Sequence, residues 1–221
     1  MPLTLIATPI GHWQDISERC LQALKQAEVV IGEEPKRARK LLAQYGLRDK
    51  IENLYFLNEH SDAAEIHELI EFCQSKPVVY FSDAGTPSFC DPGFQLVKLC
   101  RKKKIPVISL PGPSSLSQIL SLSSKKIENF DFVGFLAREK DARKKQWQEM
   151  QKQNRAMIFM DTPYRMQQSL QELKNYLPDR EVLIGCDLTS EGEIVLEGRA
   201  KETLLQSLPK KADFLVLVYA K

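Results

Sequence analysis

Carboxylates and small residues, rather than histidines or thiols, stand where this chain can do chemistry. Glu33-Glu34, Glu59, Asp83, Asp161 and Asp187 each fall where an apolar run gives way to polar residues. A carboxylate at the end of such a run can accept a proton from a hydroxyl or hold a polar ligand by hydrogen bonds. The pair Glu33-Glu34 has a second explanation, because carboxylates favour the N-terminal end of a helix dipole and Pro35 suits a first helical position. His12, beside Trp13, reads more readily as a packing or surface residue than as a base. His60, between Glu59 and Ser61, is balanced between the two, and His67 lies among polar neighbours on a helical stretch. Two basic runs, Lys36–Lys40 and Arg138–Lys145, adjoin strand ends. They can contact phosphates or form solvated helix faces.

The stretch that must position most of these groups is Val78–Gly93, V-V-Y-F-S-D-A-G-T-P-S-F-C-D-P-G. Its β-favouring start runs into a turn-rich segment, and an amphipathic helical pattern follows from Phe94. In an open α/β sheet such a loop lies at the carboxyl end of a strand, where ligands bind. Gly85 leaves room for a ligand or a second backbone, while Pro87 and Pro92 stiffen the loop. Neither G-x-x-x-x-G-K-[ST] nor G-x-G-x-x-G is present, so neither a triphosphate cradle nor a dinucleotide turn is indicated.

The elements around it repeat. Apolar runs at Leu3–Thr8, Val29–Gly32, Asn53–Leu57, Val78–Phe81 and Ile105–Leu110 alternate with helical patterns. That alternation predicts a parallel sheet with helices on its faces, an α/β lobe over residues 1–124. Asp15 three residues before Glu18 resembles a capping box, and Ser114 suits an N-cap. Residues 125–221 have another rhythm. Strands are expected at Phe132–Phe135, Ala156–Met160, Val182–Cys186, Ile194–Glu197 and Phe214–Tyr219, with helices around Met166–Leu173 and Leu204. This predicts a mixed α+β sheet.

A formal net charge of +2 over 221 residues gives no overall preference for nucleic acid. Five widely spaced cysteines without a C-x-x-C pair, and three histidines, argue against a zinc site and predict no metal. Free thiols suit a reducing cytoplasm. Neither a signal-peptide pattern nor a membrane-length apolar run is present, so a cytoplasmic protein with no membrane association is expected.

Taken together, T-P-I-G (Thr8–Gly11), S-D-A-G-T-P-S-x-x-D-P-G (Ser82–Gly93), P-G-P-S-S (Pro111–Ser115), G-F-L-x-R (Gly134–Arg138) and T-P-x-R (Thr162–Arg165) resemble the tetrapyrrole methylase superfamily. The likeness spans almost the whole chain in order. It is nearest to the bacterial branch that methylates a ribose 2′-hydroxyl of cytidine in 16S ribosomal RNA. The resemblance implies a two-lobed fold and S-adenosyl-L-methionine as methyl donor, held in a cleft between the lobes, usually in a homodimer. It carries donor-binding roles to Pro9, Asp83, Gly85, Thr86, Ser114, Ser115, Met160 and Leu188. The implied partner is ribosomal RNA or the 30S subunit. Glu34 and Glu59 are candidate catalytic carboxylates, and Lys36, Arg37, His60 and Arg165 candidate substrate contacts.

The chain departs from that branch at Glu33-Glu34-Pro35-Lys36 (E-D-T-R there), Asn58–Asp62 (H-E-H-N-E), Asp161–Arg165 (E-S-P-H-R) and Asp187–Ser190 (E-L-T-K). These changes touch the acceptor side. They leave two alternatives: a small or tetrapyrrole-like acceptor, or a donor-binding ribosome-associated paralogue without catalysis.

Overall fold

Alternate residues of the first strands point to opposite faces of one sheet, and both faces are apolar, as a sheet covered on two sides requires. The computed structural model describes residues 2–202 and 208–221; the helix expected around Leu204 lies outside them. The chain forms two compact units, Met1–Ser114 and Ser115–Lys221. In the first, β1 (Leu3–Ile6), β2 (Val29–Gly32), β3 (Leu54–Phe56), β4 (Val78–Tyr80) and β5 (Val107–Leu110) form an all-parallel sheet in the order β3-β2-β4-β1-β5.

On one face Ile6, Val30, Val79 and Phe81 pack with Cys20 and Leu24 of α1 (Glu18–Gln26) and Ala38 and Leu42 of α2 (Pro35–Gln44). On the other, Leu5, Ile31 and Tyr80 pack with Ile66, Leu69, Ile70 and Cys73 of α3 (Ala63–Ser75) and Leu96 and Cys100 of α4 (Gly93–Lys102). Helix α1 is capped by Ser17, whose Oγ accepts the Cys20 amide at 3.2 Å, rather than by Asp15, which falls in a preceding 3₁₀ turn. The capping box instead opens α3, with Asp62 and Glu65 in the reciprocal roles.

The topology singles out one place on this sheet. The connection from β1 to β2 passes one way along it, and the connection from β4 to β5 passes the other. Because β1 and β4 are neighbours, the loops leaving them diverge, which makes a switch-point crevice at their carboxyl ends.

The second unit comprises α5 (Ser115–Ser121), β6 (Phe130–Phe135), α6 (Lys140–Lys152), β7 (Ala156–Asp161), α7 (Met166–Tyr176), β8 (Glu181–Cys186), β9 (Ile194–Arg199) and β10 (Phe214–Val218). Its sheet has the order β6-β7-β10-β8-β9, with β6 and β7 parallel and the other pairs antiparallel. Trp147 and Met150 of α6, with Leu170 and Leu173 of α7, fill one face against Phe159, Ile184 and Val216. Helix α5 lies on β8 and β10, so it belongs with this unit.

One basic residue behaves differently from its neighbours in sequence. Arg143, within the run expected to be a solvated or phosphate-binding face, is 3% exposed. It donates to Asp161 and Glu172, each at 2.7 Å, and to Ser169 Oγ at 2.8 Å. Two turns of helix put Arg143 on the same inward face as Trp147 and Met150. The helical period, not the charge density, decides which cations reach solvent.

Candidate functional site

Three loops of the first unit are laced together at the switch point. Thr8 and Gly85 exchange both backbone hydrogen bonds at 3.0 Å, joining the loop after β1 to the loop after β4. Thr8 Oγ1 also donates to the Ser82 carbonyl at 3.2 Å, and Thr86 Oγ1 donates to the Pro113 carbonyl after β5 at 3.2 Å. Gly85 has φ +78°, a conformation that favours glycine, and an added Cβ would stand 3.3 Å from Ile10 Cγ2. The other end of the β4 loop is tied back by Asp91, which accepts from Tyr80 Oη at 3.1 Å and from the Gly93 amide at 2.7 Å. Any side chain at Gly93 would overlap the Tyr80 ring, at 2.2 Å from its Cε1. Ser88, at φ +66°, keeps its buried Oγ without a partner among the described residues.

A fourth loop joins through carboxylates. Glu33 Oε2 accepts the Asp83 amide at 3.2 Å, and Asp83 Oδ1 accepts the Glu34 amide at 3.0 Å. Arg37 Nε stands 3.6 Å from the other Asp83 oxygen. Burial raises the pKa of Glu33 above its ordinary value, against the pull of the Asp83 amide, and burial likewise raises Asp83. Glu34 goes the other way. Its two oxygens accept the Lys36 and Arg37 amides at 3.0 and 2.8 Å as the N-cap of α2, and these bonds lower its pKa. Pro35 occupies the first position of that helix.

The geometry sorts the residues singled out in the sequence. Pro9, Asp83, Gly85 and Thr86 meet at the switch point, with Glu34, Lys36 and Arg37 beside Asp83 across the β2 loop. Ser114 ends the first unit and Ser115 opens α5. Glu59 and His60 follow β3 at the edge of the sheet; their side chains are exposed and 3.7 Å apart. In the second unit, Met160 near the end of β7 and Leu188 just after β8 lie at the same end of the sheet, on either side of β10. Leu188 fills the space above Gly185, where a Cβ would meet its Cδ2 at 2.9 Å. Arg165 is committed within its own unit. It pairs with Asp161 at 2.5 Å and points to the Leu136 and Ala137 carbonyls at 3.3 and 3.4 Å.

In the sequence Glu34, with Glu59, is the candidate reactive carboxylate, and Glu33 is not. A signal to the contrary is present, since a residue immediately before an N1 proline is the N-cap, and its side chain is then used by the helix. That leaves Glu33 as the half-buried carboxylate facing Asp83.

An all-parallel sheet with a laced switch-point crevice, followed by a mixed-sheet unit, defines a class of two-unit α/β proteins. The chain belongs to the tetrapyrrole (corrin/porphyrin) methylase family, whose model matches residues 2–204. It is 31% identical over 210 residues to ribosomal RNA small subunit methyltransferase I of Thermotoga maritima, covering 95% of this chain and 93% of that one. To the protein of the same name from Coprothermobacter proteolyticus it is 32% identical over 216 residues, 97% and 96% of the two chains. Among solved structures it is similar to diphthine synthase, with a TM-score of 0.76 at 17% identity over 100% of this chain and 90% of that chain. The methyltransferase CobJ gives 0.67 at 15% identity, over 99% and 94%. At those identities the likeness is one of fold.

Proposed function

We propose that this methyltransferase moves a methyl group from S-adenosyl-L-methionine to a ribose 2′-hydroxyl of small-subunit ribosomal RNA. The observation that carries the reading is the Thr8–Gly85 lacing of the switch-point crevice, walled by Glu33 and Asp83, in a chain whose near-full-length relatives bear a ribosomal RNA methyltransferase name.

The donor supplies an electrophilic methyl group on a sulfonium and carries no phosphate. The crevice suits such a ligand, because its carboxylates and hydroxyls are hydrogen-bond acceptors and donors for an adenosine and an amino acid. Asp83, Thr86 and Pro9 border it, and Gly85, without a side chain, lets the loop close against Ile10. Ser114, at the end of the same unit, joins the donor set in this reading, and the roles of Ser115, Met160 and Leu188 rest on the family resemblance.

A hydroxyl attacking a methyl group must lose its proton, and most of the remaining work is positioning. Glu33 suits proton acceptance better than Glu34, since desolvation raises its affinity for a proton while the cap lowers that of Glu34. Lys36 and Arg37 are placed to hold phosphates beside the Asp83 loop. Glu59 and His60, exposed beyond β3, are reserve contacts for RNA, and Arg165 acts through Asp161 rather than on substrate.

The protein works in this reading as a cytoplasmic homodimer. The cysteines among the described residues are all free, as a reducing compartment would leave them, and no described helix is long and apolar enough to cross a membrane. Methyl-labelled donor offered with purified 30S subunits and, separately, with a corrin or porphyrin acceptor tests the assignment. Label in ribosomal RNA alone is expected; label in the tetrapyrrole alone would replace the acceptor.

A further inference from the structure

Trp13 is one of three exposed aromatic side chains of the first unit among the described residues, with Phe89 and Phe94, and the only tryptophan there. The residue is 48% exposed, yet its backbone is held firmly. It opens a 3₁₀ turn, Trp13–Asp15, capped by His12, whose Nδ1 accepts the Gln14 amide at 3.3 Å. Its carbonyl accepts a hydrogen bond from Tyr45 Oη, and the Tyr45 ring lies 6.3 Å from the indole at 46°. Burial and the nearby Asp15 push the Tyr45 hydroxyl up to about 12, so it remains a donor through the neutral range. A rigid turn with an outward indole is what a planar ligand needs: apolar area that loses little entropy on binding.

Its support connects it to the crevice. Tyr45 is the C-cap of α2, and the N-cap of the same helix, Glu34, bonds to Asp83. Between them α2 buries Ala38 and Leu42 and exposes Lys36, Arg37, Arg39 and Lys40, with no carboxylate in the helix itself. Ten residues of helix span ~15 Å, no more than about four nucleotides at 3.4 Å or more each. A basic strip with an aromatic face is the combination by which proteins hold single-stranded nucleic acid.

We propose that Trp13 is a stacking platform for a nucleobase of the acceptor RNA, the strand then passing along α2 to the Asp83 loop with its phosphates on Lys36, Arg37, Arg39 and Lys40. This rests on the reading of the acceptor as RNA. It adds a position a few nucleotides from the methylated ribose where the protein grips a base.

The chain has two tryptophans, and Trp147 is fully buried, so quenchable emission belongs to Trp13. Titration of the full chain with single-stranded oligocytidylate should quench that emission and shield it from acrylamide. Trp13→Ala should weaken oligonucleotide binding roughly 5- to 150-fold, the range for removal of one base–aromatic stack. The salt dependence should stay unchanged, because a stack releases no counterions. Trp13→Phe should restore most of the affinity. Lys36→Ala with Arg39→Ala should instead lower the salt slope by about 0.7 for each phosphate no longer neutralised. Trp13→Ala should fold normally, since Tyr45 bonds to the backbone. Wild-type affinity in Trp13→Ala would overturn the platform while leaving the RNA reading in place. Failure of the unaltered protein to bind either oligocytidylate or 30S subunits would remove both. Quenching that follows protein concentration rather than RNA would reassign the indole to an interface between copies.

Discussion

Glu33 and Asp83 hold each other's loops: the Glu33 carboxylate accepts the Asp83 amide at 3.2 Å, and the Asp83 carboxylate accepts the next amide along, that of Glu34, at 3.0 Å. The latch joins the ends of adjacent strands β2 and β4 and draws two carboxylates partly out of water. Both therefore bind protons more tightly folded than unfolded. Stability from this source is complete below their ordinary values of 4.5 and 3.8 and is lost as pH rises through the raised values.

Glu33→Gln keeps an oxygen to accept the Asp83 amide and removes the desolvated charge. We expect this variant to be at least as stable as the native protein at pH 7, with the two converging below pH 4.5. Methyl transfer should fall sharply while donor affinity is retained. Urea unfolding across pH, together with a transfer assay, checks both halves. Undiminished transfer would take Glu33 out of the reaction.

Much of the fold is legible in the sequence because its signals are local. The alternation of apolar runs with helical stripes gives the parallel sheet, and Ile66, Leu69, Ile70 and Cys73 are buried on α3 as their spacing indicates. The less legible features depend on pairings distant in sequence. Nothing near Asp83 announces that Glu33, 50 positions earlier, accepts its amide. The burial of Arg143 is hidden by the charges beside it, although its spacing from Trp147 and Met150 carries the information. Trp13 stands out in the sequence only as a neighbour of His12, because its tie to Tyr45 spans 32 positions.

Arg143→Ala should be severely destabilising. The guanidinium and the Asp161 carboxylate both belong to residues only 3% exposed, so truncating Arg143 takes from a buried carboxylate one of its two guanidinium partners, leaving Arg165, and removes the bonds to Glu172 and Ser169 as well. We expect a loss of about 3–5 kcal/mol in the unfolding free energy. A double-mutant cycle with Asp161→Asn, followed by urea unfolding, measures the coupling. A loss below about 1 kcal/mol would place the pair among weak surface bridges.

Gly85→Ala introduces a Cβ at φ +78° and 3.3 Å from Ile10 Cγ2. The strain should cost roughly 1–2 kcal/mol of stability. Because the loop borders the proposed donor position, calorimetry with S-adenosylhomocysteine should show a clear loss of affinity. Native affinity in the folded variant would move the donor away from this loop.

Light scattering at micromolar concentration should give about twice the 25.3 kDa chain mass. The edge strand β5, with Ile108 44% exposed, is one surface available for such pairing. A clean monomer would exclude the proposed dimer.

The most direct measurement is the position of the transferred methyl group. Small-subunit RNA from cells with and without this gene can be compared for ribose methylation, with the purified protein and labelled donor added back to the deficient subunits. Ribose 2′-O-methylation by this protein predicts one 2′-O-methylated nucleotide that disappears with the gene and returns, labelled, with the protein. Label on a base, or an unchanged ribose pattern alongside methylation of a small acceptor, would contradict it.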